Sequence, residues 1–230
     1  MSEGHLAVML RAAGKRCLVV GGGAVAHRKV EECLRAGLEV LVVSPSLAPP
    51  LRDLVRQGRI RWRQGEFEPR DVEGTFLVFA AATPAVNETV CKAARRAGVL
   101  VNVVDCPELS DFISPAVLQR GPVTVAVSTG GASPALAALI RDRIADVVGD
   151  EVGEWAEVLA SFRRRVQERV GDAAARQDLL RRAAALDGAT RIARGEREAL
   201  LAMLDSWLRV ADPGVRVDPC ARGGGGTQGG

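Results

Sequence analysis

The chain has 230 residues, 47% of them hydrophobic, which is enough for one large domain or a medium one with an appendage. Its 31 lysines and arginines nearly balance 28 aspartates and glutamates, and neither sign is gathered into a block, which argues against a nucleic-acid-binding stripe or an acidic tail. No apolar run approaches the roughly 20 residues that span a bilayer and no charged-apolar-small leader opens the chain, so a cytoplasmic protein without a membrane partner is expected.

Cys17, Cys33, Cys91, Cys106 and Cys220 are odd in number, form no CxxC pair and mostly sit in apolar patterns, so reduced core thiols are expected. His5 and His27 are the two histidines, and neither has metal-ligand spacing with a cysteine, so no preformed metal site is expected. A hydrolase triad is set aside because the chain has no GxSxG elbow and no late histidine.

From Arg16 to about Asp105, apolar runs at 17–20, 39–43, 60–63, 76–81 and 99–104 alternate with helical stretches. This is the βαβ rhythm of a doubly wound parallel sheet. The first run passes into Gly21-Gly22-Gly23-Ala24-Val25-Ala26 and then a helix whose Ala26, Val30, Cys33 and Leu34 recur at helical spacing before Gly37 stops it. Glycines between a strand and a helix let the backbone approach a pyrophosphate, which then meets the free N–H groups of the helix. A tight turn without a ligand uses the same residues.

The second run ends Val43-Ser44-Pro45-Ser46, with no carboxylate for ribose hydroxyls and no adjacent arginine for a 2′-phosphate. Ser44, Ser46 or backbone around Pro45 are the candidates there, and NAD is favoured over NADP. The fourth run ends with Ala80, Ala81, Ala82 and Thr83, whose small side chains either leave room for a ligand at the sheet's carboxyl edge or pack strand on helix. A helix is expected over 85–97, with Asn87 facing the crevice or capping the helix. The fifth run delivers Asn102-Val103-Val104-Asp105, so Asp105 is a candidate for moving protons, or else a turn former; Asp111 is its weaker rival.

After Asp105 the rhythm breaks. Strands are expected over 112–119 and 123–128 around Gly121-Pro122, followed by a helix begun by Ser133-Pro134 with Leu136, Leu139, Ile140, Ile144 and Val147 on one face. Ser128-Thr129-Gly130-Gly131 forms either an anion-binding nest or a plain capped helix start. Two or three more helices follow, with stripes at Trp155, Leu159, Phe162 and Val166 and at Leu200, Leu201, Leu204, Trp207 and Leu208; these pack on the same chain or on a symmetry mate. The expected fold is therefore α/β, a Rossmann-type parallel sheet (1–113), a small central α+β segment (114–149), an all-helical region (150–211) and a Gly-rich tail without a core (212–230).

Taken in order, the glycine turn through Lys29, Asn102–Asp105, Phe112-Ile113-Ser114-Pro115-Ala116 and the run 125–134 ending Ser133-Pro134 resemble the motifs of the precorrin-2 dehydrogenases, which also form the N-terminal part of siroheme synthases. The resemblance covers about 6–148 strongly and the later helices loosely. It implies NAD-dependent oxidation of precorrin-2 to sirohydrochlorin and, in bifunctional members, insertion of ferrous iron to give siroheme. It further implies Asp105 as general base. The candidate cofactor cradle read from the strand ends is Gly21, Gly22, Gly23, Ala24, Val25, Ser44, Pro45, Ser46, Ala81, Thr83, Asn102 and Val103, and a homodimer is expected. The tetrapyrrole carries many carboxylates, for which Ser128, Thr129, Gly130, Gly131 and Arg120 are the candidate grips. Two rivals stand beside this reading. One is a nucleotide-sensing module without catalysis, which lacks its usual acid after the second strand; the other is a small hydroxy-acid dehydrogenase, for which no histidine or lysine base stands out.

Overall fold

The structure is a computed structural model that describes residues 4–211. Strand β1 (Arg16–Val20) is buried over its last four residues, as a central parallel strand covered on both faces must be. It continues through Gly21–Gly23 into α1 (Ala24–Arg35), which buries Ala26, Val30 and Cys33. The helix stops where Gly37 adopts a φ of +74°, with the Gly37 and Leu38 amides closing onto the Leu34 and Cys33 carbonyls.

Next come β2 (Glu39–Ser44), α2 (Pro49–Arg56), β3 (Arg61–Gln64), β4 (Leu77–Ala80), α3 (Pro84–Arg96) and β5 (Leu100–Val103). The five strands are all parallel in the order β3-β2-β1-β4-β5. The order reverses between β1 and β4, because the chain winds outward from β1 in one direction and then resumes on β1's other side. Helices α1 and α2 cover one face through Val30, Leu51 and Leu54; α3 and the turn Pro69–Val72 cover the other through Val72, Val90 and Ala94.

Cys17, Cys33 and Cys91 are buried and all four described cysteines are free thiols, while Cys220 lies outside the described residues. The Cys17 and Cys33 sulfurs lie 3.5 Å apart, and that contact, followed by burial, holds the Cys17 thiol well above its ordinary range. The thiolate is therefore suppressed, and Cys17 acts as a core residue.

The described chain divides into two compact units: the sheet unit up to Pro115 with Thr129–Ser133, and a second of Ala116–Ser128 with Pro134 onward. In the second, β6 (Ala116–Arg120) and β7 (Val123–Val127) form an antiparallel hairpin whose turn holds Gly121 at a φ of +49°. Helices α4 (Pro134–Ala145), α5 (Asp150–Arg169), α6 (Ala173–Ala184), α7 (Gly188–Ala193) and α8 (Arg197–Ala211) follow. Asp172 caps α6 through the Ala175 amide. Trp155, Phe162, Val166, Leu179, Leu200, Leu204 and Leu208 make this unit's core, so the two apolar stripes pack on their own chain.

Three expectations change. The strand expected over 112–119 begins only at Ala116, since Phe112–Pro115 runs outside any sheet and Pro115 has no N–H to give a ladder. Among the described residues four helices, rather than two or three, follow α4, because Asp187 caps a separate short helix at Gly188. The row expected on one face of α4 is cut short: the helix ends at Ala145, so Val147 lies beyond it, and Leu136 and Leu139 are 47% and 48% exposed while Ala137 is buried. No described helix is long and apolar enough to cross a membrane.

Gly153 on α5 lies against the hairpin turn, where an added Cβ would come within 2.7 Å of the Arg120 carbonyl. Overpacking of this kind costs about 1–3 kcal/mol. Gly153→Ala should therefore lower the melting temperature by about 5 °C in differential scanning calorimetry; an unchanged transition would contradict this packing.

Candidate functional site

The carboxyl ends of β1, β2 and β4 converge on the glycine turn. The Gly21 amide donates to the Val43 carbonyl (2.9 Å), the Ala81 amide to the Val20 carbonyl (2.8 Å) and the Ala48 amide to the Gly22 carbonyl (2.7 Å). A Cβ on Gly21, whose φ is +128°, would collide with the Ala81 carbonyl; one on Gly22 would collide with the Ser46 carbonyl. Both glycines are thus required by neighbouring backbone. Gly23 is different, because its φ of −90° suits any residue and a Cβ there would meet nothing within 4 Å. The open side of the turn is therefore at Gly23, the N-cap of α1.

Gly23 offers no side-chain cap, and the first turn of α1 has no acidic residue. The leading amides and the positive end of the helix dipole are consequently available to an anion. Ala24 is exposed and Val25 half-buried beside them. These features fit a dinucleotide's pyrophosphate: a close-packed glycine floor, an open Gly23 and an uncapped helix start.

Ser44 is 4% exposed and its hydroxyl donates to the Ser46 carbonyl (2.8 Å), so it shapes the loop from within. Pro45 and Ser46 are exposed at the loop's surface. Gln64 donates to the Pro45 carbonyl (3.3 Å), and the Trp62 indole to the Ser44 carbonyl (3.1 Å). At the end of β4, Thr83 is the exposed N-cap of α3. Asn87 settles its own alternative: it is buried and accepts the Ala82 amide (2.9 Å), holding the loop that carries Ala81 and Thr83.

Asn102 is also buried, and its amide donates to the Phe112 carbonyl (2.8 Å). Asp105 follows β5 as an exposed residue with a φ of +58°, the one non-glycine residue in the left-handed region among the described residues. Its turn adjoins β4, since the Val104 amide donates to the Ala80 carbonyl (3.0 Å). The rival Asp111 is structural: it accepts the Val101 amide (3.1 Å) and pairs with Arg95 (3.1 Å).

A strap over 110–115, unrecognised in the sequence, closes the outer edge of β5. Ser110 and Asp111 satisfy the Val103 and Val101 amides in place of a sixth strand. Phe112 meets Phe79 edge to face at 5.4 Å, and Lys29 of α1 donates to Ser114 (2.8 Å). The strap and the turn at Gly130 and Gly131 border a cleft of about 230 Å³. In that turn the Thr129 hydroxyl donates to the Ser133 carbonyl (3.1 Å) and lies 3.0 Å from the Ser133 amide, so it is held inside the loop. Exposed Gly130 and Gly131 have φ values of +63° and +87°. Ser128 is exposed in the second unit. Arg120, also there, hydrogen-bonds the Val148 carbonyl (3.0 Å) and lies 3.3 Å from Asp150, which fixes it within that unit.

A family described as "Putative NAD(P)-binding" matches residues 8–116, and one described as "Sirohaem biosynthesis protein central" matches 120–146. The siroheme synthase of Nitrosococcus oceani is 38% identical over 205 residues, 89% of this chain and 44% of that protein. That of Methylococcus capsulatus is 41% identical over 220 residues, 95% of this chain and 46% of that protein. The chain is a homologue of the siroheme synthases. This siroheme synthase homologue spans a little under half the length of those relatives. Its fold is that of SirC, a precorrin-2 dehydrogenase: the structures agree with a TM-score of 0.72 over 88% of this chain and 100% of SirC, at 24% identity.

The unequal duties of the glycines are testable. Gly22→Ala should lower the melting temperature by about 5 °C. Gly23→Ala should leave it within about 1 °C yet weaken NAD binding about tenfold in titration calorimetry, because its methyl group intrudes only on a bound anion. Undiminished binding by Gly23→Ala would contradict this assignment.

Proposed function

We propose that this protein oxidises precorrin-2 to sirohydrochlorin with NAD in siroheme biosynthesis. The observation that carries the proposal is the open, uncapped Gly23 at the strand-order reversal of a siroheme synthase homologue, with Asp105 at the end of the next strand pair. Bound NAD supplies the acceptor for the hydride that leaves a ring carbon, and a proton leaves elsewhere on the macrocycle.

In this reading Gly23 and the amides of Ala24 and Val25 hold the pyrophosphate, on the floor made by Gly21 and Gly22. Ser46 and the backbone at Pro45 face the ribose, with Ser44 shaping their loop, and the absence of an arginine there favours NAD over NADP. Ala81, Thr83 and Val103 border the nicotinamide end, with Asn102 holding the strap behind it. Asp105 takes the proton as general base. The exposed backbone of Gly130 and Gly131 receives substrate carboxylates.

The division of labour follows the chain: cofactor binding by 1–113, association by 114–149 and a helical region over 150–211. Leu136 and Leu139 of α4, with Val117 of β6, are exposed apolar residues that suit a second copy of this chain. Ferrous iron would enter as a substrate. No group of three His, Cys, Asp or Glu side chains that could hold a metal occurs among the described residues, so Asp105 would serve by removing pyrrole protons.

Purified protein given precorrin-2 and NAD should form NADH together with the sirohydrochlorin spectrum, and no NADH would refute the proposal. Asp105→Asn should reduce kcat about a hundredfold while NAD binding persists, since general-base assistance is worth about 10²–10⁴-fold. Ferrous iron added to sirohydrochlorin without NAD tests insertion separately. A rate equal to the enzyme-free control would leave a dehydrogenase alone.

A further inference from the structure

The turn that presents Asp105 runs from Val103 to Cys106, closed by the Cys106 amide donating to the Val103 carbonyl (3.2 Å). A left-handed backbone is unfavourable for a residue with a side chain, although aspartate tolerates it better than most. Such a conformation persists only where its surroundings over-determine it. On the sheet side, the Val104 amide is held by the Ala80 carbonyl.

On the outer side one hydroxyl meets both ends of the turn. Ser110 Oγ lies 2.9 Å from the Val103 nitrogen, 3.1 Å from the Val103 oxygen and 3.0 Å from the Cys106 oxygen. It accepts the Val103 N–H and has one proton to give to either carbonyl. Ser110 is itself fixed by its neighbour, because the Asp111 amide donates to the Val101 carbonyl (2.8 Å) and the Asp111 carboxylate pairs with Arg95. The residues flanking Asp105 are therefore clamped between β4 and the strap.

We infer that Ser110 is a positioning residue, whose hydroxyl holds the Val103–Cys106 turn in the shape that aims the Asp105 carboxylate; the inference rests on Asp105 being the base. Loss of the clamp lets the turn relax toward negative φ and swings the carboxylate away from the proton it takes. Misplacement of a reacting group by an ångström is enough to slow a reaction strongly.

Ser110→Ala should reduce kcat about tenfold with both KM values within about twofold, and Ser110→Thr, which keeps the hydroxyl, should restore most of the rate. In the Asp105→Asn background Ser110→Ala should cost nothing more, since asparagine keeps the turn but has no carboxylate to aim. A wild-type kcat for Ser110→Ala, or a further tenfold loss in the Asp105→Asn background, overturns the inference. Calorimetry gives an arm independent of catalysis. Asp105→Gly should raise the melting temperature by about 2 °C in the parent protein, where the clamp enforces the left-handed turn, and leave it unchanged in Ser110→Ala. An equal rise in both backgrounds overturns the clamp. If Asp105→Asn keeps the full rate, the base assignment falls on its own and this thermal arm decides the clamp.

Discussion

Between β1 and α1 the backbone passes through a gap too narrow for a side chain. The Ala81 carbonyl closes one side of Gly21 and the Ser46 carbonyl closes one side of Gly22. This confinement sets how α1 leaves the sheet, and hence where its first amides face. It also brings the ends of β2 and β4 within hydrogen-bonding reach of the same turn. The rest of the proposed site depends on that confinement, because a wider turn would tilt α1 and dissolve the convergence at Gly23.

The outer half of the sheet depends on a different device. Strand β5 is an edge strand, and its outward amides at Val101 and Val103 would otherwise be unpaired. Side-chain oxygens of Asp111 and Ser110 take them, so the chain needs no sixth strand. The same strap then reaches back through Phe112 and Ser114 to Phe79 and Lys29. One segment thus protects the edge and holds the turn that carries Asp105, and it ties that turn to α1.

The sheet was legible because its central parallel strands, buried on both faces, read as uninterrupted apolar runs, and because Gly37 marks where the first helix stops. The glycine turn between β1 and α1, and an aspartate just after β5, were legible as residue types and positions. Their conformations were not: nothing in Val104-Asp105-Cys106 announces a left-handed aspartate, since aspartate is common in ordinary turns. Ser110 escaped notice, and Asp111 stood only as a rival to Asp105, because their partners are backbone amides, which carry no residue identity. Phe112–Pro115 looked like part of a strand for the same reason, its apolar residues serving a strap instead. Arg120 suited an acidic substrate by charge alone, whereas its actual partners, Val148 and Asp150, lie about thirty positions away. The pairing of α5 with α8 could not be chosen over a symmetry mate, because an apolar stripe does not name its partner.

The central claim is that the glycine turn is the cofactor half of the site. Amide hydrogen exchange of the purified protein with and without NAD tests it most directly. The account predicts slowed exchange confined chiefly to 21–26 and 44–48, with α5–α8 unchanged. Slowed exchange elsewhere, with 21–26 unaffected at saturating NAD, would contradict it.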